Sequence, residues 1–331
     1  MTGTGDPWRD IEVPRDENLL NVRRANVEHS LDYWFGRDLQ GRYVLCFDSD
    51  AEVPGASSAP KPAGIEVNTL AFGEAGCRLV LTLLESEQFD IFRALCFDLM
   101  RSTAELSEHE SGAGLSITLN RLRRWQSLLE KARDGLLTTS QIIGLVGELL
   151  VLRDLLLPRM NTFDAVLSWR GPYGDEQDFL LAGSMIEVKT QLSTSDRYLP
   201  VSSEEQLDTK SGRILICHQT LDVPADAAGG AVSLNGLVSS LADRMATSDQ
   251  AAADLFQTAL LEAGYRRRDE YGRPYWLLNG RALYEVRDGF PRITPGMISG
   301  GIDRVRYRIA VQACAKFETE EEAAMEWALD G

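Results

Sequence analysis

Three residues whose side chains could do chemistry lie close together in the middle of the chain. Asp178 opens the segment QDFLL, and Glu187 and Lys189 follow in MIEVKT. Alternate residues of a strand share one face, so Glu187 and Lys189 point to the same side. A two-residue turn at Gly183-Ser184 would make the two segments a hairpin, with Asp178 opposite Lys189 and on the face of Glu187. The spacing therefore predicts two carboxylates and one ammonium group on a single face.

This set of groups suits the hydrolysis of a phosphodiester with the help of a metal ion. Carboxylates and a backbone carbonyl are the hard oxygen ligands that Mg²⁺ prefers, and Mn²⁺ is an alternative ion. A bound ion polarises the phosphate and lowers the pKa of water, and a nearby lysine orients or deprotonates that water. The predicted metal ligands are Asp178, Glu187 and the Val188 carbonyl, with Lys189 serving the nucleophile. A half-buried strand with an exposed Glu and Lys gives the same short pattern, so the pattern alone does not distinguish a catalytic site from such a strand.

A fourth candidate, Glu148, lies in the apolar segment GLVGELLVLRDLL. As a helix this segment is apolar almost all round, so it must be largely buried, and a buried carboxylate is costly without a partner. Gly144 and Gly147 leave space beside Glu148 for a metal, a water or another strand. We predict that Glu148 binds a second metal ion or a water on the first. The alternative is a position at the helix edge, in contact with water.

The elements that position these residues are indicated by caps and turns. Thr138-Thr139-Ser140 is typical of a helix start, and Pro158 marks the end of that helix. The apolar segment 213–220 is typical of a strand in the middle of a sheet. The other predicted elements of this half are a strand over 163–169, a short helix capped by Ser202 or Ser203, helices over 234–245 and 250–263, and several strands over 271–317.

The first part of the chain predicts a separate α+β domain. A chain of 331 residues is long enough for two domains. We place the boundary near residues 134–137, which gives an N-terminal domain over 1–135 and a second domain over 136–331. The predicted elements of the first domain are strands over 41–47, 65–72 and 77–84, a Pro- and Ser-rich loop over 51–63, and helices over 89–106 and 117–132.

The order of these elements resembles the PD-(D/E)XK nuclease superfamily, which includes many restriction endonucleases. The segments GLVGELLVLRDLL, SWRGPYGDEQDF, IEVKT, SSEEQL and GFPRI are more closely similar to a family of bacterial PD-(D/E)XK motif proteins. The resemblance covers most of the chain and is sharpest over 140–210. It implies an α/β fold, in which a restriction-endonuclease-like domain has a central mixed sheet flanked by helices and carries a β-rich, Arg-rich C-terminal extension.

The resemblance also bears on the site residues. It adds Gln206 to the catalytic set of Glu148, Asp178, Glu187 and Lys189, because some relatives carry a Gln on the helix after the Glu-Val-Lys strand. Two departures from the pattern are plain. Gln177 stands before Asp178 in place of proline, which is the least functional part of the pattern, and Lys210 stands where those relatives have a Tyr.

The charge of the chain is unevenly distributed. The net charge is −16, from 34 basic and 50 acidic residues, which argues against broad affinity for nucleic acids. Between Gly264 and Arg308, however, ten arginines stand against five acids, with tyrosines interleaved. Arginine forks beside aromatic rings suit phosphate and base contact, so this stretch is the predicted DNA-contacting surface. The alternative is a solvated sheet face. The arginines are residues 266, 267, 268, 273, 281, 287, 292, 304, 306 and 308.

Several other classes of protein find little support in the sequence. No apolar stretch is long enough to span a membrane, and no apolar leader segment opens the chain, so we expect a cytoplasmic protein. The five cysteines are scattered through apolar runs, which favours buried thiols in a reducing compartment. There is no CxxC pair and no phosphate-binding GxxxxGK[ST] loop.

We therefore expect a Mg²⁺-dependent DNA endonuclease. Because relatives are associated with restriction and phage-defence gene clusters, the resemblance implies a role in such a system. The alternative is a catalytically silent subunit that keeps the nuclease fold for binding or assembly. The acidic character favours partner proteins, and analogy with enzymes that cut both strands favours a homodimer.

Overall fold

The structure is a computed structural model that describes residues 6–16, 20–51, 60–73, 76–133, 135–302 and 304–330. The chain divides into two compact units, one of residues 1–135 with 249–264 and the other of residues 136–248 with 265–331. The segment 249–264 thus groups with the first unit, whereas we expected a continuous second domain. The division into domains stays a prediction, because compactness alone does not show independent folding. Most of the predicted loop over 51–63, and residue 134 at the predicted boundary, lie outside the described residues.

The described residues contain both helices and strands throughout, as expected for a mixed α/β protein. Helices α1 to α8 are Phe89–Ser102, Ser111–Arg133, Thr139–Val151, Thr162–Leu167, Leu234–Ser248, Gln250–Glu262, Val311–Cys314 and Glu321–Leu329. Strands β1 to β13 are Asn21–Arg24, Tyr33–Arg37, Tyr43–Ser49, Ile65–Phe72, Gly76–Leu83, Phe179–Leu180, Ser184–Leu192, Tyr198–Val201, Arg213–Asp222, Val232–Ser233, Tyr275–Val286, Tyr307–Ala310 and Glu318–Thr319. None of the helices within these residues is both long and apolar enough to cross a membrane.

The first unit is built on an antiparallel sheet with the strand order β1-β2-β3-β5-β4. Helices α1, α2 and α6 belong to the same unit, and their apolar side chains share one core cluster with those of the sheet. An ion pair between Arg93 on α1 and the buried Asp254 on α6 ties the later segment to this unit. The strands and helices predicted for residues 41–132 are confirmed, with end points that differ by a few residues.

The second unit contains the mixed sheet that the resemblance implied. Its strand order is β10-β11-β9-β7-β6, with β13 paired to β11, and β7 and β9 run parallel. Strands β8 and β12 form a separate two-stranded antiparallel ribbon. Helix α3 packs against β7, and a π-helical turn, Leu152–Leu156, continues it.

The hairpin of β6 and β7 turns one residue earlier than predicted. Phe179 pairs with Ile186 and Leu180 pairs with Met185, so the turn residues are Ala182 and Gly183. Gly183 has a φ of 137°, which glycine adopts far more readily than other residues. Continued by one step, this register places Asp178 opposite Glu187, so the predicted pairing with Lys189 is wrong. The residue opposite Asp178 changes by two positions, from Lys189 to Glu187, so Asp178 still lies on the same face of the hairpin as both residues.

Two of the predicted elements near the site are also wrong. The strand predicted over 163–169 is a helix, α4, because the Asn161 side chain caps its start by accepting the Asp164 N–H at 2.8 Å. The short helix predicted after Ser202 or Ser203 is a series of turns. There the Gln206 Oε1 atom accepts the Ser202 N–H at 3.0 Å, so this backbone N–H is bonded to a side chain in place of a backbone carbonyl.

Candidate functional site

Glu148 is positioned by the close approach of α3 to β7. A Cβ atom on Gly147 would lie 1.8 Å from Thr190 Oγ1 and 2.7 Å from Thr190 Cβ, so only a glycine fits between helix and strand. The Gln219 side chain donates to the Gly147 carbonyl at 2.9 Å from the neighbouring strand β9. Strand β7 therefore comes close to the helix at Gly147, as one of the three predicted alternatives allowed.

We expect Gly147→Ala to destabilise the second unit by about 2 kcal/mol, as overpacking of a tight core contact usually does. The added methyl group must push α3 away from β7, and Glu148 moves with the helix. Gly144→Ala is the matched control, because no described atom lies within 4 Å of the Cβ position there. That change should leave stability unchanged or raise it, since alanine favours helix. Denaturant unfolding of both variants is the measurement, and equal stabilities would contradict the argument.

The carboxylates of Glu148 and Asp178 meet beside Gly171. A Cβ atom on Gly171 would lie 2.7 Å from Glu148 Oε2 and 2.8 Å from Asp178 Oδ1. Glu148 Oε2 is held there by the indole N–H of the fully buried Trp169, which donates to it at 2.7 Å. Asp178 Oδ2 accepts the Val188 N–H at 2.7 Å, which ties the start of β6 to β7. Two of the predicted site residues are thus brought to one point.

Glu187 and Lys189 form a buried ion pair on β7. The Glu187 side chain is 3% exposed, and its Oε1 atom lies 2.7 Å from Lys189 Nζ. The other oxygen, Glu187 Oε2, is buried and has no hydrogen-bond partner among the described residues. A buried carboxylate oxygen without a partner is costly, so this atom is positioned for a cation or a donor that the chain itself does not supply.

The carboxamide of Gln206 joins the two members of this pair. Its Oε1 atom accepts from Lys189 Nζ at 3.0 Å, and its Nε2 atom donates to Glu187 Oε1 at 2.8 Å. Although Gln206 lies on a turn and not on the predicted helix, the structure brings it into contact with both residues. Its role in catalysis stays a prediction.

The three carboxylates share one electrostatic environment. Burial raises the pKa of Glu148 well above its ordinary value, and the nearby Asp178 adds to the effect. Burial raises the pKa of Asp178 to about 6, although the Val188 N–H and Lys189 act in the opposite direction. Burial and then Asp178 raise the pKa of Glu187 to about 8. Three carboxylates beside one lysine leave the site short of positive charge, which is the condition that a bound cation corrects.

A divalent cation fits the donor chemistry of this site. The unpartnered Glu187 Oε2 and the Asp178 Oδ1 atom beside Gly171 are the hard oxygens that such an ion takes. Within the part of the chain that the structure describes, no group of three or more His, Cys, Asp or Glu side chains is arranged to hold a metal ion. The predicted ligands are the carboxylates of Glu148, Asp178 and Glu187 with the Val188 carbonyl, and Lys189 lies against one oxygen of Glu187. These ligands stay a prediction.

Two residues of the site were missed by the reasoning from sequence. Trp169 is fully buried, and its indole N–H fixes Glu148. Gly171 has no side chain, which leaves the space where two carboxylates meet. The signal that could have identified both was the segment SWRGPYGDEQDF, in which they shortly precede Asp178.

A mixed sheet with an acidic hairpin, a Glu-Val-Lys strand and a helix-borne glutamate beside it is the arrangement of a PD-(D/E)XK-type core. A model of the family described as "Putative PD-(D/E)XK family member, (DUF4420)" matches residues 5–312. The chain belongs to this family, and the predicted resemblance to PD-(D/E)XK proteins is confirmed. Neither the curated proteins nor the solved structures contain a match to the chain.

Proposed function

We propose that this protein is a metal-dependent endonuclease that hydrolyses phosphodiester bonds in DNA. The observation that carries the proposal is the meeting of Glu148 and Asp178 beside Gly171, next to the buried pair of Glu187 and Lys189. Carboxylates with perturbed pKa values around a lysine are frequent at catalytic sites, because burying such charges is costly. Membership of a PD-(D/E)XK family supports the same reaction and DNA as its substrate.

Each residue has a distinct part in the proposed mechanism. Asp178, Glu187 and the Val188 carbonyl would hold Mg²⁺ or Mn²⁺, which offsets phosphate charge and makes water more acidic. Glu148 adds a second carboxylate oxygen beside Asp178, and the Trp169 N–H keeps that oxygen in place. Lysine has three N–H donors, and two are directed at Glu187 and Gln206. The third is therefore available to a water or a phosphate oxygen, which it would orient and stabilise.

A restriction or phage-defence role is a further part of the proposal, and it rests on the resemblance to proteins found in such gene clusters. The proposed partner proteins rest on the acidic character of the chain, and the proposed homodimer rests on analogy with enzymes that cut both strands. The alternative function, a silent nuclease-fold subunit, makes a different prediction about DNA. Such a subunit would bind DNA or a partner, and it would leave the phosphodiester intact with any metal ion.

The test is cleavage of supercoiled plasmid DNA by the purified full-length protein. With Mg²⁺ or Mn²⁺ we expect nicked and linear products, and with a chelator we expect none, because the carboxylates then lack the cation that offsets phosphate charge. Restoring Mg²⁺ should restore cleavage, which separates metal removal from inactivation. Cleavage that persists in the chelator would contradict the metal requirement. DNA binding without cleavage under every metal condition would favour the silent subunit.

A further inference from the structure

The two-stranded ribbon of β8 and β12 has one buried face and one polar face. Leu199, Val201 and Ile309 are buried and join the core cluster of the second unit. Cross-strand partners point to the same side, and Arg308 pairs with Pro200. The outer face of the ribbon therefore carries the other set of residues, which we call the basic ribbon: Tyr198, Pro200, Ser202, Arg306 and Arg308.

A groove of about 510 Å³ lies on this surface. Its lining includes Arg306 and Arg308 together with Ser202, which follows the end of β8. The Arg308 guanidinium lies over the Tyr198 ring, 5.1 Å from its centre, so an exposed aromatic ring and a cation are presented together. In a chain with a net charge of −16, a groove lined by two exposed arginines and no acid is a local exception.

Other arginines of the predicted DNA-contacting stretch serve the fold instead. Arg281 forms ion pairs with Asp154 and Glu321, and it is nearly buried. Arg292 donates to the Leu207 carbonyl at 2.8 Å. By contrast, neither Arg306 nor Arg308 forms an ion pair with a carboxylate among the described residues. The predicted DNA-contacting surface over residues 264–308 is therefore reduced to the two arginines near its end, Arg306 and Arg308.

A buried carboxylate fixes the backbone that presents these arginines. Glu204 is 5% exposed and accepts the N–H of Arg304 at 3.1 Å and of Val305 at 2.7 Å. The backbone N–H of Glu204 itself, followed by those of Val305 and Arg304, lowers the pKa of the Glu204 carboxyl, so the carboxylate is directed at the main chain. Arg304 is held with a φ of +56°, a left-handed conformation that is uncommon for residues other than glycine. Two backbone hydrogen bonds to the Glu204 carboxylate thus hold the residues that lead into β12.

The basic ribbon is connected to the candidate site by two hydrogen bonds. The Ser202 N–H donates to Gln206 Oε1 at 3.0 Å, and the same oxygen accepts from Lys189 Nζ at 3.0 Å. A phosphate in the groove and a phosphate at Lys189 could therefore belong to one nucleic acid strand.

We propose that the basic ribbon binds the phosphates of a DNA strand and leads that strand to Lys189. The proposal rests on the proposed function, because it names the surface by which the same site receives its substrate. Arginine forks bind phosphate oxygens in pairs, and the Tyr198 ring offers a face on which a base can stack. The contact is one of charge and shape, so it should not depend on base sequence.

The test is DNA binding by the double variant Arg306→Glu/Arg308→Glu. Binding is measured by fluorescence anisotropy with a labelled oligonucleotide and Mg²⁺, in a chain that also carries Asp178→Asn so that DNA is not cut. We expect affinity to fall by about tenfold or more, and its dependence on salt to become shallower by about two counterions, because two phosphate contacts are lost. Arg123→Glu is the matched control, since Arg123 is exposed and lies in the other unit. It should bind like the parent.

The outcomes separate the two proposals. Parent-like binding by the double variant overturns the basic ribbon and leaves the endonuclease proposal untouched if the wild-type chain cuts DNA. Loss of binding by the variant, in a chain whose wild-type form binds but never cuts, supports the ribbon and overturns the endonuclease. If the parent chain, which carries only Asp178→Asn, does not bind DNA, the proposal for the basic ribbon is also overturned. Melting temperatures near that of the parent establish that each variant is folded.

Discussion

Lys189→Met is expected to lower the rate of DNA cleavage at saturating substrate by about a thousandfold, the range usual for loss of a group that moves a proton or stabilises transition-state charge. Methionine keeps the length and the apolar stem of the side chain but removes all three N–H donors. Glu187 Oε1 then accepts only from Gln206, and no ammonium group remains to orient water or offset phosphate charge.

Lys210→Met is the matched control for this change, because Lys210 is exposed and pairs only at the surface with Asp208. It should cut DNA at the wild-type rate. A purely structural role for Lys189 predicts a lower melting temperature and a smaller fraction of active protein, with a normal rate per folded molecule. A role at the reacting phosphate predicts a lower rate with little change in the affinity for DNA. Wild-type turnover by folded Lys189→Met would refute the proposed role.

The parts of the site that lie within a few residues of each other were predictable from sequence. The segment containing Glu187 and Lys189 reads as a strand in any register, so their common face follows from the period of two. The opposite partner of Asp178 did not follow, because one residue in the position of the turn changes it. The turn was decided by Gly183, whose positive φ places it second in the turn, and not by the composition of the strands.

Long-range contacts were not predictable from the sequence in the same way. The sequence indicated that Glu148 needed a partner, but its partner, Trp169, lies outside the helix that carries Glu148 and was not predicted. Gln206 reached the site although the helix expected to carry it is a turn, because its side chain bonds to Ser202, Glu187 and Lys189 at once. In both cases the tertiary contact, and not the local propensity, determines the conformation.

The acidic net charge of the chain is compatible with a DNA substrate when charge is considered locally. A phosphate chain is repelled by the protein as a whole at long range, but salt screens that repulsion beyond about 8 Å at physiological ionic strength. The lining of the groove holds Arg306 and Arg308 and no acid, and the nearby Glu204 accepts backbone N–H groups. At Lys189 the three carboxylates would need the bound cation to offset their charge before a phosphate approaches. Binding of DNA at this surface therefore does not require that the whole protein carry a net positive charge.

Gly171→Ala is expected to lower DNA cleavage by about a hundredfold or more, as a displacement of about 1 Å in a catalytic group can do. The methyl group would occupy a point 2.7 Å from Glu148 Oε2 and 2.8 Å from Asp178 Oδ1, so the two carboxylates must separate. Neither can move freely, because Trp169 holds one and the Val188 N–H holds the other. The substitution removes no charge and no hydrogen-bonding group, so its effect measures the shape of the site alone.

Gly174→Ala separates crowding of the site from strain in the loop. No described atom lies within 4 Å of the Gly174 Cβ position, but its φ of +79° disfavours alanine, so this control should lose stability and keep its rate of cleavage. Gly171 has no positive φ, so its substitution tests crowding of the two carboxylates and not strain of a left-handed backbone. Thermal melting and initial rates of plasmid nicking are measured on both variants, and only Gly171→Ala should lower the rate per folded molecule. Full activity in a folded Gly171→Ala protein would mean that the space beside Gly171 is not where the reaction occurs, and the proposed site would have to be abandoned.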